Sequence, residues 1–242
     1  RQLALNDDHE DKGLGLLTHH ADSRIVFVPP GKGIYYLHVG DTQNRGGAEF
    51  AYRLRIGRPD PGFELRVVPS NLNGHPGSSV PLTVYALRRD GFDGEIELKL
   101  KNKMEGVRLD GARIPAGQDH VQLTLTLPTE PLTRPKALDL EGHATIGGKT
   151  AICPAVPAED MMQAFIYHHL VPAKELLLST IEGGRPRRPF TVNSKEALTL
   201  RPGATTTVSF SSRIRFRKAL SRLKVELGNA PAGVEIESVS IR

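Results

Sequence analysis

Short stretches in which apolar and polar residues alternate, each ended by proline or glycine, recur along the 242-residue chain. Ser23–Val28 stops at Pro29-Pro30-Gly31, and Glu49–Ile56 has an apolar residue at every second position before Gly57. Alternation with a period of two is typical of half-buried strands, and proline and glycine mark the turns between them. The high counts of glycine (24) and proline (18) favour the same class. The sequence therefore predicts an all-β chain, long enough for two or three small domains.

An internal repeat predicts how these strands are grouped. Leu72–Gly77 and Leu198–Gly203 both end in Pro-Gly, and an alternating strand follows each of them. Further along each copy, an asparagine precedes a Gly-Val pair by four positions: Asn102 with Gly106-Val107, and Asn229 with Gly233-Val234. Pro-Gly turns followed by alternating strands are typical of sandwiches. We expect tandem β-sandwich domains of jelly-roll or immunoglobulin-like type, with a hairpin in the first copy that turns at Gly147-Gly148.

One segment between the two copies has a different pattern. Residues 157–172 begin with Pro157 and two acidic residues and end at Pro172, which predicts one short interdomain helix. A short turn or strand stays open as the alternative, because Ile166-Tyr167 is not strongly helical. An apolar stripe would run along this helix, formed by Met161, Met162, Phe165 and Ile166. Such a stripe either packs against a neighbouring sandwich or serves as a partner-docking site, and the sequence leaves both interpretations open.

Four motifs follow one another within the first 57 residues: Asn6-Asp7-Asp8, Ala21–Ile25, Gly33–Val39 and Phe50–Ile56. In this order they resemble the second half of a bacterial pre-peptidase C-terminal domain. The sequence that follows is similar to the immunoglobulin-like arrays of large exported proteins of Planctomycetes-type bacteria. The resemblance implies a small β-sandwich attached to secreted hydrolases or surface proteins, in a secreted, periplasmic or cell-surface location. The family's first strands have no counterpart here, so we expect a part of a longer protein.

These observations predict four units along the chain. They are a half-sandwich at 1–57, an immunoglobulin-like sandwich at 63–156, a linker with the short helix at 157–172, and a second, incomplete sandwich at 173–242. Incomplete sandwiches leave strand edges without partners, which is a route to assembly with other chains. We therefore expect other domains or subunits of a larger extracellular assembly as partners.

The basic residues are concentrated at one end of the sequence. Residues 185–242 hold 12 Lys and Arg against 4 Asp and Glu, a balance of +8, whereas residues 1–184 have a balance of −3. If residues 213–217 form a strand, the side chains of Arg213, Arg215 and Arg217 project from one face. Three guanidinium groups in a row suit sulfates, phosphates or carboxylates, so anionic polysaccharide is a candidate ligand. The alternative is a solvated sheet face.

An acidic loop near the start is a candidate cation site. Asp7, Asp8 and Asp11 lie within five positions, together with Asn6 and Glu10. Oxygen side chains are the ligands that Ca²⁺ takes, although this order does not match an EF-hand loop. The loop is therefore either a calcium site or a solvated turn, and no other cofactor is expected.

Other kinds of chemistry have no motif in this sequence. The single cysteine, Cys153, excludes an internal disulfide and a cysteine-based zinc cluster. The histidine pairs His19-His20 and His168-His169 have no metal-ligand spacing, and neither G-x-S-x-G nor a phosphate-binding loop occurs. No apolar run approaches the roughly 20 residues of a spanning helix, and no nucleic-acid-binding module is recognisable. We expect neither enzymatic activity within these residues nor a nucleic-acid partner.

Three functions stay open on the sequence. The first is a non-catalytic exported module that acts as a cell-surface adhesion, spacer or assembly element. The second is an accessory module that binds anionic glycans or cell-envelope polymers and is attached to a secreted hydrolase. The third is part of an enzyme whose catalytic domain lies outside these residues.

Overall fold

The computed structural model describes residues 1–7, 9–11, 17–20, 23–163, 167–181, 190–193, 199–212, 225, 227 and 233–240. These residues form sixteen strands and no helix, which confirms the all-β class. The strands are β1 (His9–Asp11), β2 (Leu17–His20), β3 (Gly62–Val68), β4 (Asn71–Gly74), β5 (Ser79–Arg89), β6 (Ile96–Leu100), β7 (Arg108–Asp110), β8 (Arg113–Ile114), β9 (His120–Thr126), β10 (Lys136–Leu138), β11 (Leu140–Ile146), β12 (Lys149–Gln163), β13 (Tyr167–Pro172), β14 (Leu176–Thr180), β15 (Phe190–Val192) and β16 (Phe210–Ser212). In the described part of the chain, no helix is long and apolar enough to cross a membrane.

A nine-stranded sheet makes up most of the fold. Its order is β7-β9-β5-β3-β12-β11-β6-β8, and β13 extends it beside the second half of β12. The two edge strands, β7 and β8, are consecutive in the sequence and are separated only by Gly111 and Ala112. The link between them also contacts β6, because Ala112 O accepts a hydrogen bond from Leu98 N at 2.9 Å. The sheet therefore curls until its two edges lie close together.

A three-stranded sheet in the order β10-β14-β4 completes the core. Strand β14 pairs antiparallel with β10 and parallel with β4. Two small antiparallel pairs, β1-β2 and β15-β16, form separate sheets.

The core is built from alternate residues of these strands. Phe63 and Phe92 stack with their ring centroids 5.5 Å apart, and both rings are buried. Leu176 and Leu178 of β14 belong to the same cluster of buried residues. The sequence analysis assigns this strand to a separate unit at 173–242, whereas it packs here with the strands of residues 62–157.

The hairpin predicted at Gly147-Gly148 is confirmed. Ile146 pairs with Lys149 across the turn. The φ angles of Gly147 and Gly148 are 55° and 77°. Two consecutive positive φ angles match the twist of the flanking strands, and glycine adopts them without the steric cost of a Cβ.

The predicted helix at 157–172 is wrong. Strand β12 continues to Gln163, and β13 pairs with it antiparallel from Tyr167. Residues 155–157 also pair in parallel with β3, so β12 is bonded to the sheet before the segment begins. Backbone pairing with strands that are distant in the sequence overrides a local helical pattern.

Two contacts hold this hairpin on the sheet. Glu159 accepts a hydrogen bond from Ser70 N at 3.1 Å and another from Ser70 Oγ, so this carboxylate contacts the β3–β4 turn instead of starting a helix. Ala158 and Leu170 are buried, and they pack against Val68, Tyr85 and Leu87.

The strands predicted at Ser23–Val28 and Glu49–Ile56 are also absent, and the Gly33–Val39 motif forms no strand either. Within residues 23–61, all of which the structure describes, no residue belongs to a strand. The hydrogen bonds between backbone groups that are described there are local, Asn44 N to Asp41 O at 2.9 Å and Phe50 N to Gly47 O at 3.1 Å. Alternation makes a chain suitable for a sheet, but a strand forms only where a neighbouring backbone supplies hydrogen bonds.

Two positions of the predicted repeat have the same local geometry in both copies. Gly77 and Gly203 have φ angles of 69° and 74°. The turns that contain them close through Ser78 N to His75 O at 2.9 Å and Ala204 N to Arg201 O at 3.0 Å.

Candidate functional site

Residues 23–56, called here the N-terminal segment, carry many of the apolar side chains that face solvent in the described part of the chain. Thirteen large hydrophobic side chains in it are 39–92% exposed. Soluble proteins rarely expose apolar patches of more than a few hundred Å², and larger ones mark interaction sites. The N-terminal segment is therefore the candidate functional site.

Exposure divides these thirteen residues into two sets. The outer set is 72–92% exposed and comprises Val26, Val28, Ile34, Tyr36, Tyr52 and Ile56. The inner set is 39–52% exposed and comprises Ile25, Phe27, Tyr35, Leu37, Val39, Phe50 and Leu54. Within residues 25–39 the two sets alternate along the chain, as expected for extended backbone with side chains on two faces.

Short-range contacts shape the turns of the N-terminal segment. The rings of Phe27 and Tyr35 meet edge to face with centroids 5.7 Å apart, and the Tyr35 hydroxyl donates to Gly31 O at 2.8 Å. In the next turn, Asp41 accepts hydrogen bonds from the backbone N–H of Gln43 and Arg45 at 3.0 and 3.1 Å. The hydrogen bond from the Arg45 side chain is the main cause that lowers the pKa of Asp41, and the two backbone N–H groups add to it.

The carboxylate of Asp90 ties the N-terminal segment to the core. Asp90 lies in the turn after β5 with a φ of 51°, and its Oδ2 accepts a hydrogen bond from Asp60 N at 2.9 Å. Its other oxygen is ion-paired with Arg24. The Asp60 N–H, followed by Arg24, lowers the pKa of Asp90. Asp90 thus holds Arg24, just inside the start of the segment, and Asp60, just beyond its end.

The sequence pattern predicts ordinary strands over the N-terminal segment and does not reveal its exposed apolar surface. Two stretches of the sequence do indicate that this segment has more apolar surface than an ordinary strand. Val26-Phe27-Val28 and Ile34-Tyr35-Tyr36-Leu37 are apolar on both faces, which is typical of a strand that is covered on both sides.

Of the predicted partner-docking residues, Met161 and Met162 are described and lie on β12. Their side chains are 55% and 64% exposed. As neighbours in a strand they project to opposite faces, so each face of the hairpin receives one methionine. Phe165 and Ile166 lie outside the described residues.

The other predicted sites are mostly outside the described part of the chain. The residues outside it are Arg213, Arg215, Arg217 and Asp8, and of Asp11 only the backbone is described. Asp7 is exposed, and its backbone carbonyl accepts a hydrogen bond from the Ser23 hydroxyl. Among the described side chains, no group of three or more His, Cys, Asp or Glu could hold a metal ion.

The outer face of β6 and β11 carries alternating charges. Lys99 Nζ is 2.8 Å from Glu97 Oε2, and this hydrogen bond lowers the pKa of Glu97. On the neighbouring strand, His143 Nε2 is 2.8 Å from Glu141 Oε1. An open cleft of about 520 Å³ adjoins this face and is lined by Glu95, Glu97, Gly111, Ala112, Arg113, Pro115, Gln118 and Val121. Because Lys99 pairs with Glu97, and Arg113 with Glu95 at 3.3 Å, the face is suited to solvent rather than to a ligand of one sign.

Cys153 behaves as a structural thiol. Its Sγ donates to Phe63 O at 3.2 Å, and burial raises its pKa. A raised pKa keeps the thiol protonated, whereas a nucleophilic cysteine needs a lowered one.

The comparisons with known proteins add little to this geometry. No protein-family model and no curated protein matches the chain. Among solved structures, the surface-layer protein SbsC, domains 1–6, and the S-layer protein rSbsC(31-844) are each similar over 63% of this chain at 14% identity. The chain spans 22% of the length of each, and both TM-scores are 0.26, too low to indicate a shared fold.

Proposed function

We propose that this chain is a non-catalytic, exported module of β-sandwich type that serves as a cell-surface adhesion, spacer or assembly element of a larger protein. The observation that carries the proposal is the contrast between two adjoining parts. Residues 62–178 bury their alternate apolar side chains, whereas the N-terminal segment exposes thirteen.

The energetics of this contrast favour assembly. A large apolar side chain contributes about 1.5–3 kcal/mol when it is fully removed from water. A surface that covered the outer set would therefore gain a strong hydrophobic driving force. The resemblance of residues 1–57 to a pre-peptidase C-terminal domain supports export and a neighbourhood of other domains.

The size and location of the protein in its own cells test this proposal. We expect the polypeptide in the secreted or envelope fraction, in a species much larger than the 242-residue chain. Gel filtration of gently extracted fractions, followed by immunodetection, measures both properties. A cytosolic protein that elutes at the size of a single 242-residue chain would contradict the proposal.

The charge distribution favours a second function, the binding of anionic glycans or cell-envelope polymers. The balance of +8 over residues 185–242 is the observation behind it. Basic patches attract polyanions, and arginine suits sulfate and carboxylate groups.

Heparin chromatography of the chain tests this second function. We expect elution above ~0.15 M salt, where exposed charges are already screened over about 8 Å. Replacing Arg213, Arg215 and Arg217 by serine should shift elution to lower salt. The matched control removes the same charge from the exposed Arg53, Arg55 and Arg58. Equal shifts for the two triple variants, or loss of retention below ~0.15 M salt, would reduce the binding to general electrostatics.

A further inference from the structure

Five of the nine histidines in this chain lie on three strands that the fold brings together. They are His9 on β1, His19 and His20 on β2, and His168 and His169 on β13. We propose that His9, His20 and one histidine of β13 form a binding site for a divalent transition-metal ion such as Zn²⁺. This inference goes beyond the proposed function, and the spacing of the histidines in the sequence does not indicate it.

The first two ligands are set by the register of β1 and β2. His9 lies directly opposite His20 in this antiparallel pair. Opposite residues lie on the same face, with their Cα atoms about 4.5–5.5 Å apart. Because each imidazole nitrogen bonds to zinc at about 2.0–2.1 Å, two histidines that share one ion can have Cα atoms up to about 12 Å apart. A single ion can therefore bridge this pair.

The third ligand comes from β13, which lies beside β2. Cα atoms of the two strands approach within 8 Å of each other, and β2 is only four residues long. Neighbouring residues of a strand lie on opposite faces. Whichever face of β13 is turned toward β2 therefore carries either His168 or His169. On β2, His20 is a better candidate than His19, because the register gives its face a second histidine.

The ligand type defines the class of ion. Imidazole suits zinc, copper and nickel, whereas calcium takes oxygen ligands. Three histidines with water at the fourth position are an established ligand set for zinc. The absence of a metal-binding group among the described side chains does not bear on this arrangement, because the side chains of β1, β2 and His168 lie outside that set.

A metal ion at this place would join two sheets. Strands β1 and β2 form a sheet of their own, whereas β13 belongs to the nine-stranded sheet through β12. An ion that binds the assembled arrangement and not the separated one stabilises the assembled one, by an amount that grows with the ion concentration relative to Kd. Metal binding would thus fix the β1–β2 pair on the sandwich.

Calorimetric titration of Zn²⁺ into the metal-free 242-residue chain tests the inference. We expect one ion per chain with a micromolar Kd. The double variant His9→Gln with His20→Gln should weaken binding by more than about 10–100-fold, the loss that follows when only an outer-shell partner is removed. His19→Gln is the matched control and should bind like the unchanged chain, because His19 lies next to His20 on the opposite face. Of the single variants His168→Gln and His169→Gln, one should weaken binding and the other should not.

Several results would overturn the inference. They are the absence of saturable binding, an equal loss in His19→Gln and in the double variant, and equal binding by the two single variants of β13. Displacement of Zn²⁺ by Ca²⁺ would also overturn it, since a calcium site made of oxygen ligands in the acidic loop would then explain the binding. Circular dichroism of the metal-free variants should match that of the unchanged chain, which separates the loss of a ligand from misfolding.

Discussion

Replacing Gly142 by valine is expected to lower the free energy of unfolding by about 3 kcal/mol, the upper end of the usual cost of overfilling a packed core. Gly142 lies on β11 and is buried. A Cβ at this position would lie 2.5 Å from Leu65 Cδ1, 2.9 Å from Ile96 Cγ2 and 3.2 Å from Phe63 Cε2. These three side chains are 0–1% exposed, so none can move away into solvent. The larger valine side chain would force the sheet apart.

Urea unfolding of the Gly142→Val protein measures this effect. Thr145→Val is the matched control, because Thr145 lies exposed on the same strand and the change should stay within about 0.5 kcal/mol. Gly142→Ala should lower the free energy of unfolding by an amount between those of Gly142→Val and Thr145→Val. Equal unfolding midpoints for Gly142→Val and the unchanged protein would show that β11 does not pack as described.

Replacing Arg88 by methionine is expected to cost about 2–4 kcal/mol, because hydrogen bonds to a charged group contribute roughly 1.5–3 kcal/mol each and this site is partly solvated. The guanidinium donates to three backbone carbonyls, Gly94 O at 2.7 Å, Gln118 O at 3.0 Å and Pro115 O at 3.1 Å. It also lies over the Phe92 ring, 5.3 Å from the centroid. Methionine keeps the apolar stem but leaves the carbonyls of two loops without this donor. Thermal or urea unfolding reports the loss.

The neighbouring arginine provides the control for Arg88. Arg89 is half exposed and reaches Glu64 at 3.8 Å, so Arg89→Met should cost less than about 1 kcal/mol. Arg88→Lys should lose most of the stability lost in Arg88→Met, since an ammonium group cannot reach three carbonyls with the geometry of a guanidinium. If the two methionine variants unfold alike, the three hydrogen bonds do not stabilise the fold.

The elements that could be predicted from the sequence depend on local geometry. The β11–β12 hairpin follows from two consecutive glycines between alternating strands, and the structure places the turn there. The all-β class follows from the period of two, which persists whichever strands become neighbours. The turn at Asp41–Arg45 is formed by contacts within five residues, so its geometry is encoded where it occurs.

The predictions that failed, or that could not be made, depend on partners far away in the sequence. Residues 157–172 have a helical pattern, but pairing with β3 and between β12 and β13 makes strands of 157–163 and 167–172. The N-terminal segment has the alternation of strands without a neighbouring backbone among the described residues, so the same pattern became an exposed apolar surface.

Individual residues also differ in whether their role depends on neighbours along the chain or on residues that are distant in the sequence. Arg88 and Arg89 are adjacent and chemically identical in the sequence, yet only Arg88 reaches the carbonyls of two loops, because β5 directs it toward them. Gly142 resembles any glycine near a hairpin until Leu65, Ile96 and Phe63 converge on it from other strands. The sequence by itself determined the class of structure, the strand period and the tight turns, since these depend on neighbours along the chain. Only the tertiary structure decided which strands pair, which apolar faces are covered and which arginine is structural, because burial depends on what the rest of the chain brings near.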